Sequence, residues 1–136
     1  MATLNQLHQL GQSTWLNYLR NSFIRSGELA EWLRQGIQGG TANAQGYERA
    51  IRGSNDYDPG IRRAMSAGKP ARRIHEALMV DDIQRAADAL HPLFEASHRL
   101  DGFVSFELEP ALLHGVPATV AEVRHLSHQV DRYNVM

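Results

Sequence analysis

Short β-prone runs alternate with helical stretches along the whole chain, and few architectures accommodate that order. Residues 102–108 form the clearest strand, and residues 14–19, rich in β-branched, aromatic and apolar types, read as a buried one. Residues 37–42 read as a weaker strand in which Gly39 and Gly40 mark a bend or a close backbone approach. Helices fall between them. Leu4, Leu7 and Leu10 space a short one over residues 3–10, stopped by Gly11. Residues 26–35 read as a helix capped by Ser26, with Glu28 in its first turn and Leu29, Trp32 and Leu33 turned inward. Asn43 caps a helix over 44–52, which the Gly53, Ser54, Asn55 cluster ends.

Two helical runs follow, over 58–67 and 70–79, broken at Gly68 and Lys69. A longer helix starts at Asp81 or Asp82, sets Ile83, Ala86, Ala87, Leu90 and Phe94 on one face, and meets a kink at Pro92. After a loop through His114 and Gly115, Pro117 opens a final helix with Val120, Val123, Leu126 and Val130 inward. Asn134, Val135 and Met136 read as the opening of another strand. Strand–helix alternation of this kind builds a parallel sheet through right-handed crossovers, so the expected class is α/β. No repeat, low-complexity tract or linker divides the chain, and residues 1–136 are expected to form a single domain.

Composition narrows the function. With a formal net charge of -1 and 21% charged residues, the chain has no clustered positive field to draw it to nucleic acid or to an anionic membrane. It has no cysteine, which excludes a disulfide framework, a thiolate nucleophile and a cysteine-bound metal. The first residues lack a basic segment followed by an apolar core, and no apolar run approaches the roughly 18 residues of a membrane span. A cytoplasmic location is expected. Thirteen of the fourteen basic residues are arginine, leaving Lys69 as the one internal amine.

Four ordered segments carry a resemblance. LGQSTWLNYLRNSFIRSGELAEWL (10–33) is similar to an opening in which a strand with a Trp-Leu-Asp-Tyr run precedes a Ser-Gly-Glu-Leu helix. GIQGGTANAQGYERAI (36–51) resembles a signature of the form Gly-Val-Thr-Ser-Asn-Pro-Thr-Ile-Phe-Glu-Lys-Ala-Ile. DGFVSFELEP (101–110) resembles a strand bearing a glutamate in a Val-Ser-x-Glu run, and ATVAEVRHLSHQVDRYNVM (118–136) resembles the helix and strand start that precede Ile-Lys-Val-Pro. All four resemble the bacterial transaldolases, in particular the form sometimes fused to glucose-6-phosphate isomerase. The resemblance implies a TIM-type (β/α) barrel, here expected as a truncated half-barrel of about three βα units plus a strand stub. It also implies transfer of a dihydroxyacetone unit between sugar phosphates through an imine on the lysine of Ile-Lys-Val-Pro.

That chemistry needs a desolvated neutral amine to attack a ketone, which neither carboxylate nor guanidinium can do. Lys69 lies in the polar turn SAGKPARR, away from the strand ends where barrel enzymes place catalytic groups. Carried over residue by residue, the resemblance makes Glu107 the match of the catalytic glutamate and Asn17 the match of a strand aspartate. Asn17 keeps hydrogen-bonding capacity but cannot shuttle a proton. Thr41 and Asn43 match substrate-touching residues, although Asn43 is equally a helix cap, and the proline and bulky residues of the signature are here Ala44, Gln45 and Gly46. Enclosure of Glu107 would disfavour its charged form and suit it to acid or base work, with Glu109 on the same face as a repelling neighbour.

Among the seven histidines, His125 with His128 and His91 with His98 share helix faces, but no third ligand converges, so neither a metal nor any other cofactor is expected. An incomplete barrel leaves its sheet open, so a partner is expected to cover it, either a second copy or another chain. The resulting expectation is a transaldolase-like protein without its Schiff-base lysine, non-catalytic and partner-binding. The alternatives are an enzyme with lysine-free acid/base chemistry acting on a small-molecule ligand, and the front half of a split transaldolase.

Overall fold

The computed structural model describes residues 3–108 and 115–136. The expected loop through His114, and Glu109 with it, lie outside the described residues. The element order is α1 (Leu4–Gln9), β1 (Trp15–Leu16), α2 (Asn21–Arg25), α3 (Glu28–Arg34), β2 (Gly39–Ala42), α4 (Ala44–Gly53), α5 (Asp58–Ser66), α6 (Ala71–Ala96), β3 (Phe103–Phe106) and α7 (Val116–Val130). The fold is therefore α/β and helix-rich.

The strands lie in the order β1-β2-β3, all parallel. Trp15 pairs with Gly39, and Gly39 with Phe103, so the three strands start level. Beyond β3 a parallel bridge joins Val104 to Val135, and Phe106 N–H donates to Met136 O at 2.9 Å. The last residues thus open a fourth strand, as expected from the sequence.

Alternation along the strands separates two faces. Leu16, Ala42, Val104 and Phe106 join a core with Leu29, Ile83, Ala86, Leu90, Leu126 and Val130 from the helices. The opposite face carries Trp15, Asn17, Gly39, Thr41, Ser105 and Glu107. Trp15 is fixed there because its indole N–H donates to Ser13 Oγ at 2.9 Å, which in turn donates to Asp101 at 2.6 Å. The ring lies so close over β2 that a Cβ at Gly39 would sit 2.6 Å from Trp15 Cε2, which explains the glycine.

Several sequence expectations need correction. The helix expected over 26–35 is α3, entered through Gly27 at φ +88 and not capped by Ser26, and a short helix that was not expected, α2, precedes it. Ser26 still serves the start of α3, accepting from Glu28 N–H at 3.3 Å. The two helices expected over 70–79 and from Asp81 are one, α6, because no glycine or proline interrupts residues 71–91, and Pro92 falls near its carboxyl end. The first strand is shorter than residues 14–19. Trp32, Val120 and Val123 are not inward: they are 40%, 41% and 47% exposed, since α3 and α7 each offer one narrow stripe to the core.

Candidate active site

The carboxyl ends of the three strands gather the residues singled out from the sequence. Asn43 follows β2 and caps α4: its Oδ1 accepts from Gly46 N–H at 2.7 Å, satisfying one of the donors every helix start leaves free. Its Nδ2 simultaneously donates to Asn17 Oδ1 at 2.9 Å, so two residues 26 apart in the chain share one hydrogen bond at the strand tops. Thr41 lies one strand alternation below Asn43 on the same face. Glu107 follows β3, and its backbone N–H donates to Ala42 O at 3.1 Å, which sets Glu107 beside Asn43 across the ladder. All four residues therefore occupy one patch.

The patch is open. Asn17 and Glu107 are exposed, and Thr41 and Asn43 partly so. The residues described do not enclose Glu107. Among the described residues its side chain makes no hydrogen bond or ion pair. Lys69 lies away from this patch, in the turn between α5 and α6, with its N–H bonded to Ala64 O at 3.1 Å. The histidine pairs have other contacts: His125 bonds Glu76 at 2.6 Å and His91 stacks on Phe94, and no group of three candidate ligands is found among the described residues.

Sequence reasoning missed the acid that supports the patch. Asp82, 1% exposed, accepts from the Tyr47 hydroxyl at 2.5 Å, the Tyr57 hydroxyl at 2.8 Å and Asn21 Nδ2 at 2.8 Å. Burial pushes its carboxyl above the usual range against the pull of these three donors, and the same burial, with the Asp82 charge, pushes both tyrosine hydroxyls up. The signal was present: Asp82 stands between Met79 and Ala86 at helical spacing, an acid on an apolar stripe.

A short parallel sheet with polar side chains assembled at its carboxyl end, and helices on one face, defines a chain built like the first units of a (β/α) barrel. The family model for transaldolase/fructose-6-phosphate aldolase matches residues 14–136, and the chain belongs to that family. It is 42% identical over 134 residues to a protein named Transaldolase 2 from Nostoc punctiforme, covering 98% of this chain and 35% of the relative. It is 36% identical to a transaldolase from Thiobacillus denitrificans, covering 100% of this chain and 38% of the relative. A transaldolase from Neisseria gonorrhoeae is 32% identical, with 39% of its length covered. The chain thus spans little more than a third of these relatives. No helix among the described residues is long and apolar enough to cross a membrane.

Proposed function

We propose that these 136 residues form one transaldolase-like domain that acts in the cytoplasm as a non-catalytic, partner-binding subunit, and do not by themselves transfer dihydroxyacetone. One observation carries this reading: the patch at the strand ends presents amides, a hydroxyl and a carboxylate, while the single lysine, Lys69, sits on the α5–α6 turn. Asn17 in place of an acid supports it further, because an amide moves no proton near neutral pH. The partner-binding part draws on the flank beside the fourth strand. There an apolar groove of about 230 Å³ lies between Phe106, Leu126 and Val135, next to Val123 and Met136, which are 47% and 60% exposed. A second copy or another chain covering that groove would remove apolar surface from water.

The shared placement of Asn17, Thr41, Asn43 and Glu107 favours a second reading. In it a second chain supplies the missing units, Thr41 and Asn43 hold hydroxyls of a sugar phosphate, and Glu107 carries a proton. Borohydride reduction in the presence of fructose 6-phosphate tests the first reading. The expected result is no covalent adduct on this chain by intact-mass measurement. An adduct mapped to Lys69 would overturn it.

A further inference from the structure

We propose that the cleft between α2, α5 and α6, on the helical side of the molecule and separate from the strand-end patch, is a binding site for a small organic phosphate of the diphosphate type. The cleft has a volume of about 540 Å³, within the range of small-molecule sites. It exists because α5 and the residue after it turn small side chains toward it: Gly60, Ala64 and Ala67 recur at helical spacing. α5 can approach α6 closely at Gly60, where a Cβ would stand 2.9 Å from Leu78 Cδ2.

Charge distinguishes this cleft from an ordinary groove. Four cations line it, Arg25, Arg63, Lys69 and Arg85, against two acids, Asp56 and Asp81. Asp81 is consumed by Arg85, which donates to both its oxygens at 2.9 and 3.0 Å. Asp56 turns one carboxylate oxygen into the protein, out of contact with solvent and without a hydrogen-bond partner among the described residues, so the cleft keeps a net surplus of two positive charges. Arg25, Arg63 and Lys69 are left with no hydrogen-bonded or ion-paired partner among the described residues. The chain as a whole has a formal charge of -1, and the arginines elsewhere on α3, α4 and α6 mostly pair within their own helix, as Arg34 does with Glu31 and Arg52 with Glu48. Three unmatched cations around one concavity call for an anion with two or more charges. Two of them are arginines, whose planar fork suits phosphate oxygens, and Lys69 adds a mobile point charge.

Isothermal titration of the whole chain with inorganic pyrophosphate, at low and constant ionic strength, tests the site. Saturable one-to-one binding is expected, at least tenfold tighter than citrate and absent with added chloride. Arg63→Glu and Lys69→Glu should each weaken it at least tenfold, while Arg34→Glu, on α3, leaves it unchanged. Circular dichroism confirms that each variant is folded, and Lys69→Ala provides a milder substitution with a smaller loss in the same direction. No saturable pyrophosphate binding, equal binding of citrate, or an equal loss with Arg34→Glu would each overturn the assignment.

Discussion

Replacing Asp82 by alanine strips the acceptor from three donors at once, the buried hydroxyls of Tyr47 and Tyr57 and the part-buried amide of Asn21. Each buried donor left without a partner costs about 1–3 kcal/mol. The Tyr47 hydroxyl has a fallback, since Leu78 O lies 3.1 Å away, and Asn21 is only part-buried, so water reaches it. The Tyr57 hydroxyl is the group left most fully orphaned, and with the small void of the missing carboxylate the loss sums to about 3–4 kcal/mol. Asp82→Asn retains one carbonyl oxygen and should cost about 1–2 kcal/mol. Urea unfolding followed by circular dichroism between pH 4 and 8 separates the terms. Burial raises the folded carboxyl above its unfolded value of about 3.9, so the folded state holds a proton that the unfolded state has released. The stability this supplies is full below the unfolded value and is lost as pH rises through the folded one. Asparagine imitates the neutral acid and does not titrate. The penalty of Asp82→Asn should therefore be largest near the acid end of that range and shrink as pH rises. A penalty that grew with pH would refute the reasoning, because it would mean that three donors favour the carboxylate by more than burial opposes it.

Glu76 should show the opposite dependence. Burial raises its carboxyl, but the His125 hydrogen bond and the Arg73 guanidinium outweigh that and hold it below the usual range. Glu76→Gln is expected to cost about 1 kcal/mol, fully present above an unfolded value of about 4.3 and lost as pH falls through the lowered folded one, as read by a urea titration carried down to about pH 2. Gly102→Ala should lower stability by at least about 2 kcal/mol, since the residue has φ +81 and a Cβ there would meet the Phe94 backbone nitrogen at 2.4 Å. Thermal melting checks it, and a loss under about 0.5 kcal/mol would show that β3 shifts freely away from α6.

Local signals were legible and long-range ones were not. Asn43 announced a helix start because its side chain acts on a donor three residues away, and β3 announced itself through a run that packs on one helix face. The break expected near Met79 failed because it rested on neighbouring polar residues, whereas Asp82 is carried inside the core by partners 25 and 35 residues distant. Val120 and Val123 were assigned inward by periodicity alone. Periodicity gives the faces of α7, while the number of neighbours available decides how many of those faces are covered. The Asn17–Asn43 bond was likewise invisible, since it depends on the register of β1 against β2.

Tyr47 ties the strand-end patch to the helical layer. Tyr47 donates its N–H to Asn43 O at 3.0 Å and its hydroxyl to Asp82, so the first turn of α4, and with it the orientation of Asn43, is tied to the middle of α6. Asn43 and Tyr47 consequently have structural duties that hold whether or not the patch performs chemistry, and their presence says nothing about turnover. Asn17 shares in that duty through its bond to Asn43. Glu107 does not: its backbone serves the ladder with β2, but its carboxylate stands at the strand end with no partner among the described residues. A side chain that the fold does not use is the one whose replacement separates the two readings of this domain, because scaffolding would be indifferent to it and proton transfer would not.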